Sequence, residues 1–297
     1  MSTNKRLDLS GSFVALITPM LEDGAVDYKS LSSLVNWHID SGTQGLVILG
    51  TTAEAATLSE QEQFDVLACV IEVNRGRLPI LVGNGSNSTA AAITKTRKLD
   101  ELAIDGYLTV TPYYNKPTQK GMIAHFKAVA AATDKPIVLY NVPGRTCVDL
   151  INDSVIELMA ISNIVGIKDA TGDLSRVSIL KKASESFALL SGDDLTGREF
   201  IQAGGDGVIS VTANVEPVLM SQMIQALREQ DTDKALTIDD KLTLLHRDLF
   251  IEPNPVPAKW ALKEKGQIVS YMVRLPLLPL EPIHQQAVKQ ALLSAIS

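Results

Sequence analysis

The sequence predicts a (β/α)8 barrel, or TIM barrel, with a small helical appendage at its carboxyl end. Short apolar segments alternate with longer helical patterns up to about residue 230, and eight such segments occur in series. They are rich in Val, Ile and Leu without polar alternation, which is typical of parallel strands covered on both faces. The chain of 297 residues is only modestly longer than the roughly 250 residues that one barrel takes.

Each predicted strand is followed by a helical pattern. The eight predicted strands are residues 13–18, 45–49, 79–83, 106–110, 136–140, 164–168, 187–191 and 207–211. Ser59-Glu60-Gln61-Glu62 is a capping box that starts one helix, and Pro217 suits the first turn of another. A doubly wound open sheet is the main alternative, but it usually has fewer strands and needs a topological switch point.

After residue 230 the strand pattern stops, and three helical patterns follow over residues 235–249, 256–265 and 282–296. Prolines separate these helices, and no low-complexity linker divides them from the barrel. We therefore expect a catalytic barrel over residues 1–230 and a helical region over residues 231–297. The helical region should pack on the barrel and could also support contacts between subunits.

Composition excludes several classes of protein. The net charge of -7 argues against a nucleic-acid surface, although a few local donors in a cleft can still hold a small anion. No apolar run approaches the ~20 residues of a membrane helix, and residues 1–9 lack the apolar segment of a secretory signal. We therefore expect a cytoplasmic protein without membrane contact. Neither Cys69 nor Cys147 lies in a metal-binding spacing, so no metal site is expected.

Lys168 is the most informative residue for chemistry, because active sites of such barrels lie where the strands end. It ends the sixth predicted strand, after Ile164-Val165-Gly166-Ile167, and would be drawn into a partly apolar barrel mouth. Burial lowers the pKa of an amine, and a neutral amine can attack a keto carbonyl to form a Schiff base. Loss of a proton then gives an enamine. The alternative is a lysine that extends its ammonium into water.

Hydroxyl groups at neighbouring strand ends could move the protons that Schiff-base chemistry requires. Tyr140 ends strand five, Tyr114 follows strand four, and Thr51 and Thr52 follow strand two. Taken singly, each tyrosine could be an amphipathic residue at the core edge, and the threonines could cap a helix. Arg145 follows a Pro-Gly turn and offers a bidentate donor for a substrate carboxylate, with a solvated loop cation as the alternative.

A series of short motifs follows the predicted strands in order. A GTTGE-like loop occurs as Gly50-Thr51-Thr52-Ala53-Glu54, TPYYN at 111–115, YNVPxRT at 140–146 and GIK at 166–168. LSGDD at 190–194, GVISV at 207–211 and EPNP at 252–255 come later. With these motifs the chain resembles the dihydrodipicolinate synthase / N-acetylneuraminate lyase family, and within it the synthase branch, across essentially its whole length. It departs at Ala53, where the family usually has Gly, and a positive φ there would be strained.

The resemblance implies a condensation of pyruvate with L-aspartate 4-semialdehyde in the diaminopimelate pathway to lysine. Pyruvate would be bound covalently by Lys168, with no cofactor beyond that Schiff base. Tyr140 would act as the central acid and base, and Thr52 with Tyr114 would shuttle protons. Tyr114 would reach into the site of a neighbouring subunit, so a dimer would be the least functional unit, usually within a homotetramer that is a dimer of dimers.

The resemblance also implies a set of binding residues. Thr51 and Thr52 would hold the pyruvate carboxylate, and Arg145 would bind the carboxylate of the semialdehyde. Gly192 and Ile209 would line the site through backbone groups. Another class I pyruvate aldolase of the same family, acting on a sugar acid or on 4-hydroxy-2-oxoglutarate, is an alternative, although Arg145 suits a short substrate that ends in a carboxylate. A non-catalytic homologue that binds a keto acid is a further alternative.

Feedback inhibition by lysine is expected to be weak or absent. Many plant and enteric members of the family bind lysine at a dimer-interface cleft, where a carboxylate at the position of Ala91 holds the ammonium. Histidines are common there at the positions of Glu60 and Gln63. This chain keeps Asn87 and Tyr113, but Ala91 offers no charge. Glu60 could compensate in part as a different carboxylate.

Overall fold

A closed barrel of eight parallel strands, in the order β1 to β8, forms the centre of the computed structural model, which describes residues 7–296. The strands are β1 Gly11–Ala15, β2 Gly45–Ile48, β3 Ile80–Gly83, β4 Gly106–Val110, β5 Ile137–Asn141, β6 Ile164–Asp169, β7 Ala188–Ser191 and β8 Gly207–Ser210. The predicted fold and all eight strands are confirmed. Residues 1–6 of the amino-terminal segment, for which the sequence predicted no secretory signal, lie outside the described residues.

Helices alternate with the strands and form the outer ring. They are α1 Tyr28–Asp40, α2 Glu60–Asn74, α3 Thr89–Leu99, α4 Gln119–Ala130, α5 Pro143–Thr146, α6 Asn152–Leu158, α7 Ser175–Ala183, α8 Gly197–Gln202 and α9 Pro217–Arg228. The predicted capping box is present, because Ser59 accepts from the backbone of Glu62 and Glu62 accepts from the backbone of Ser59. Pro217 begins α9, as predicted.

The apolar residues divide into two clusters that correspond to the two faces of the barrel sheet. Side chains that point inward, such as Phe13, Val47 and Leu190, fill the barrel itself together with the ring of Tyr140. Side chains that point outward pack under the helical ring in a larger cluster. Burial on both faces explains why the strands read as continuous apolar runs.

Three helices follow α9, as predicted: α10 Thr232–Asp248, α11 Val256–Glu264 and α12 Pro282–Ile296. Helix α10 packs against α9 and α12, and its Leu242 and Leu245 belong to the same apolar cluster as the outer face of the barrel. The helical region therefore packs on the barrel, while the division of the chain at residue 230 stays a prediction. Among the helices within residues 7–296, none has the length and apolar character that crossing a membrane requires.

Candidate active site

A cavity of about 180 Å³ lies at the carboxyl ends of the strands and collects most of the predicted site residues. Its walls include Thr51, Thr52, Tyr140, Arg145, Lys168, Gly192 and Asn254. A second cleft, of about 900 Å³, shares Thr51, Tyr140, Arg145 and Asn254 with it. A cavity of about 870 Å³ at the opposite end of the barrel contains none of the predicted residues. The chemistry therefore belongs to the carboxyl end, as expected for this fold.

Lys168 is buried near the end of β6, with only 6% of its surface exposed. Burial lowers the pKa of its amine to about 8; the Asp194 carboxylate opposes this shift and Arg145 adds to it. An appreciable fraction of the amine is therefore neutral near physiological pH. A neutral amine in an apolar cavity is the form that attacks a carbonyl carbon.

Gly192 gives Lys168 the space that it occupies. A Cβ atom at Gly192 would lie 2.7 Å from Cε of Lys168 and 2.9 Å from Cβ of Ala170. Any side chain at this position would push the lysine out of its place. Gly192 thus contributes to the site by lacking a side chain, while the role of its backbone groups that the resemblance implies stays a prediction.

Asp194 is a buried carboxylate that was not among the predicted site residues. Its Oδ2 accepts hydrogen bonds of 2.9 Å from the backbone N–H groups of both Val211 and Thr212, just after β8. These two bonds fix a negative charge at the barrel mouth, where it raises the pKa of Lys168 against the effect of burial. Its only signal in the sequence is its position in the LSGDD motif.

Tyr140 lies beside Lys168 because β5 and β6 pair in a register that places these two residues opposite each other. The amine nitrogen of Lys168 lies 4.4 Å from the centre of the Tyr140 ring. Burial raises the pKa of the phenol, whereas Arg145 and a hydrogen bond with Thr51 lower it. The phenol therefore keeps its proton at neutral pH and is placed to exchange it with an imine nitrogen or its neighbours.

The two threonines of the loop after β2 have different partners. Both lie in a short 3-10 helix, Thr51–Ala53, that opens toward the cavity. The Thr51 side chain forms a hydrogen bond with Tyr140. The Thr52 hydroxyl instead accepts a 2.9 Å hydrogen bond from Nδ2 of Asn254. The strain considered for Ala53 is absent, because its φ is not positive; the positive φ values of this loop belong to Leu49, at 57°, and Glu54, at 54°.

A buried ion pair fixes the end of this threonine loop. Nζ of Lys259, on α11, donates to Oε1 of Glu54 at 2.5 Å and to the carbonyl of Met272 at 2.7 Å. The other carboxylate oxygen of Glu54 accepts from the backbone N–H of Arg274 at 3.0 Å. Both side chains of the pair are almost completely buried. The helical region therefore holds the loop that carries Thr51 and Thr52.

Two predicted site residues lie outside the cavity. Tyr114 is 86% exposed, has a φ of 75°, and lines neither the cavity nor the larger cleft of its own chain. Ile209 is buried inside the barrel and does not line the cavity. Arg145, in contrast, lies at the boundary between the cavity and the larger cleft, and no carboxylate within residues 7–296 pairs with it. A free guanidinium at this place can receive an anionic group of a ligand.

The arrangement defines the class of protein. A buried strand-end lysine of lowered pKa, next to a phenol in a closed parallel barrel, is suited to form an imine with a keto acid. Within residues 7–296, no three His, Cys, Asp or Glu side chains come together as a metal site would require. The protein is a lyase of the class I aldolase type.

Comparison with known proteins specifies the family. The model of the Dihydrodipicolinate synthetase family matches residues 8–295. The chain is 50% identical to the 4-hydroxy-tetrahydrodipicolinate synthase of Laribacter hongkongensis, over 97% of this chain and 99% of that protein. It is 51% identical to the enzyme of the same name from Pseudoalteromonas atlantica, over 95% and 97%. The chain therefore belongs to the dihydrodipicolinate synthetase family, and the resemblance predicted from its motifs is confirmed.

A solved structure agrees with this assignment. The chloride-inhibited dihydrodipicolinate synthase of Acinetobacter baumannii, complexed with pyruvate, superposes with a TM-score of 0.94 at 49% sequence identity. The match covers 96% of this chain and 98% of that chain. The barrel and its helical region are thus both part of the shared structure.

Proposed function

We propose that this enzyme condenses pyruvate with L-aspartate 4-semialdehyde, the reaction of a 4-hydroxy-tetrahydrodipicolinate synthase in the diaminopimelate route to lysine. The observation that carries the proposal is the buried Lys168 amine, whose pKa is lowered to about 8, beside Tyr140. The direct test is to incubate the enzyme with both substrates and to follow their joint consumption. A protein that consumes neither substrate would contradict the proposal.

The proposed reaction begins with attack of the neutral Lys168 amine on the keto carbon of pyruvate. Loss of water gives the imine, and loss of a methyl proton from the imine gives an enamine. The enamine carbon then attacks the aldehyde carbon of the second substrate, whose amine closes the ring and releases the enzyme amine. Tyr140 would donate and accept protons in these steps. The resemblance implies that Thr52 shuttles protons with Tyr114, but the hydrogen bond between Tyr140 and Thr51 favours the Thr51 hydroxyl over that of Thr52 for the first transfer. Thr52 would hold the pyruvate carboxylate together with Thr51.

Two alternative functions differ from the proposed one: in the first, the enzyme uses a different second substrate, and in the second, the protein uses no second substrate. Another pyruvate aldolase of this family would turn over a sugar acid or 4-hydroxy-2-oxoglutarate, and a keto-acid-binding homologue would bind pyruvate without condensing it. Arg145, free of a carboxylate partner within the described residues, favours a second substrate with a carboxylate of its own. Comparing initial rates with the three aldehyde or aldol substrates distinguishes these possibilities.

We expect Arg145→Ala to raise the KM for aspartate semialdehyde by roughly 10- to 100-fold. The change removes a charge-assisted hydrogen bond, worth roughly 1.5–3 kcal/mol, to the carboxylate of that substrate. The KM for pyruvate should change much less. Steady-state kinetics with each substrate varied in turn measures the difference, and Arg97→Ala, which removes an exposed cation of α3, is the control. Equal changes in both KM values would indicate that Arg145 supports the fold instead.

We also propose that the working enzyme is a homo-oligomer, a tetramer built as a dimer of dimers. Tyr114 is 86% exposed although it belongs to the proposed proton relay, so a second subunit is needed to bring it to a site. We place the enzyme in the cytoplasm, where amino-acid biosynthesis draws its substrates. Mixing a Tyr114→Phe variant with a Lys168→Met variant tests whether Tyr114 completes the site of the other subunit. In a mixed dimer, the subunit that keeps Lys168 would receive an intact Tyr114 from its partner, so that one active site would be complete and activity would return.

The cleft of about 900 Å³ contains the residues that bear on lysine inhibition, and its charges are unfavourable for an ammonium ligand. Ala91, Glu60, Gln63 and Tyr113 line it, together with Lys95. The carboxylate of Glu60 is already in an ion pair with Lys98. The amide of Gln63 donates to two backbone carbonyls at 3.1 Å. No free carboxylate in this set remains to hold a cationic amine.

We therefore expect weak or absent inhibition by L-lysine. Losing a charge-assisted hydrogen bond costs roughly 1.5–3 kcal/mol, which lowers effector affinity by about 10- to 100-fold. The measurement is a titration of initial rate against L-lysine at sub-saturating pyruvate. Ala91→Glu restores a carboxylate and should increase the sensitivity at least ~10-fold. Half-inhibition of the unaltered enzyme below about 1 mM, which corresponds to roughly 4 kcal/mol, would contradict this expectation.

A further inference from the structure

Asn254 lies in the wall of the catalytic cavity, although it comes from the helical region and not from the barrel. It belongs to the segment between α10 and α11, only 6% of its surface is exposed, and it borders both the cavity and the larger cleft. In the sequence it is part of the EPNP motif, for which the proposed mechanism has no use. A buried amide at this place needs a physical explanation.

Within residues 7–296, the amide nitrogen of Asn254 has one hydrogen-bond partner, the hydroxyl of Thr52. Nδ2 donates to Oγ1 of Thr52 at 2.9 Å, across 202 positions of sequence. A threonine hydroxyl has a single proton and two acceptor lone pairs. Because Oγ1 accepts from Asn254, its own proton must be donated elsewhere. Thr52 borders the cavity that contains the Lys168 amine, so the cavity is the direction that remains.

The carbonyl oxygen of the same side chain indicates that packing alone does not explain why an asparagine occurs at this position. Oδ1 of Asn254 is closed off from solvent and has no hydrogen-bond partner within residues 7–296. A buried carbonyl without a partner costs free energy that an apolar side chain of similar size would avoid. Within the described part of the chain, only one of the two polar atoms of the Asn254 amide is hydrogen-bonded. The effect of its nitrogen on Thr52 therefore explains the residue better than a contribution to the stability of the fold. Polar groups that break the rules of packing concentrate at functional sites.

We infer that Asn254 is a positioning residue, which turns the proton of the Thr52 hydroxyl into the cavity so that it donates to the carboxylate of bound pyruvate. The inference rests on the proposed function, because it takes pyruvate as the ligand of the cavity. Asn254 acts through Thr52 and leaves the transfer of protons at Tyr140 in place. Its removal should therefore weaken pyruvate binding more than turnover.

The first test is a double-mutant cycle with Thr52→Val, measured by exchange of the pyruvate methyl protons in D2O. This exchange reports imine and enamine formation and needs no second substrate. Asn254→Ala should raise the KM for pyruvate about 10-fold, the effect of one charge-assisted hydrogen bond, with kcat changed by less than about threefold. In the Thr52→Val background the same change should have almost no further effect, because the hydroxyl that it orients is gone. Full additivity of the two changes would overturn the inference.

The second test uses Asn254→Asp, which keeps the shape of the side chain. An ionised carboxylate accepts the proton of Thr52 and withdraws it from the cavity, whereas a protonated carboxyl can donate to Oγ1 as the amide does. The ratio of kcat/KM for exchange, variant over wild type, should therefore rise at least ~10-fold between pH 8 and pH 5.5. In the Thr52→Val background the ratio should stay nearly constant. A rise of the same size without the Thr52 hydroxyl would mean that only the added charge matters, and would overturn the inference.

The same experiments separate this inference from the proposed function. A wild-type enzyme that does not exchange the methyl protons of pyruvate would overturn the proposed function, and the inference with it. A wild-type enzyme that exchanges them, with an Asn254→Ala variant of unchanged KM for pyruvate, would leave the proposed function standing and overturn only the role of Asn254.

Discussion

Lys168→Met is expected to lower the rate of condensation by on the order of 10⁴-fold or more, because no other amine replaces the nucleophile. Methionine has a similar length and fits the space that Gly192 leaves. The variant should also fail to exchange the methyl protons of pyruvate. Lys181→Met is the control and should keep its activity, because this lysine of α7 pairs with Asp206, which lines the cavity at the opposite end of the barrel. A Lys168→Met variant that retains turnover would contradict the mechanism.

The same variant should be more stable than the wild type, which provides a second readout. The pKa of Lys168 is about 8 in the folded protein against 10.5 for an ordinary lysine, so the unfolded chain binds the proton more tightly. The cost to folding is full below pH 8 and disappears as the pH rises toward 10.5. At 1.36 kcal/mol per unit it amounts to about 3 kcal/mol at pH 7. Urea unfolding at equal protein concentration should show this gain at pH 7 and its loss near pH 10.

The pH dependence of catalysis follows from the same shift. The amine must be neutral to attack pyruvate, and its pKa is lowered to about 8. The value of kcat/KM for pyruvate should therefore increase with pH up to about 8 and level off above it. A profile that is flat between pH 6 and pH 9 would show that the amine is already neutral at pH 6, or that it takes no part.

Tyr140→Phe is expected to lower kcat by roughly 10²- to 10⁴-fold with little change in pyruvate affinity. The change removes one hydroxyl and keeps the ring against which Lys168 packs. Steady-state rates, together with the pyruvate dependence of imine trapping, measure the two quantities. Unchanged turnover would remove Tyr140 from the proton relay.

Tyr107→Phe is the matched control for this prediction. Tyr107 is a fully buried tyrosine on the neighbouring strand β4, and its hydroxyl donates to Oδ1 of Asp100 at 2.6 Å. Its removal should destabilise the protein by about 1–2 kcal/mol and leave kcat nearly unchanged. Similar losses of kcat in both variants would mean that the effect of Tyr140→Phe is structural.

The barrel could be predicted from the sequence because its strands are buried on both faces and therefore appear as apolar runs. For the same reason the end of β1 was predicted three residues too late, at residue 18 instead of Ala15. Leu16 and Ile17 are buried in the loop after the strand, and an apolar pattern reports burial and not pairing. Lys168 and Tyr140 could be predicted as neighbours because adjacent parallel strands end at one edge of the barrel.

The remaining parts of the site depend on contacts between residues that are far apart in the chain. Asn254 reaches Thr52 across 202 positions, and Lys259 reaches Glu54 across 205. No local pattern reports such a pair, because each residue taken alone is compatible with a surface position. The separate partners of Thr51 and Thr52 likewise follow from side-chain geometry that spacing does not determine.

Reductive trapping shows most directly whether Lys168 forms an imine with pyruvate. The enzyme is incubated with pyruvate and borohydride, digested, and examined by mass spectrometry for the peptide that carries the reduced adduct. We expect one pyruvate-derived adduct per chain, on Lys168, and its loss in the Lys168→Met variant. An adduct on a different lysine, or no adduct at saturating pyruvate, would contradict the role of Lys168 as the nucleophile.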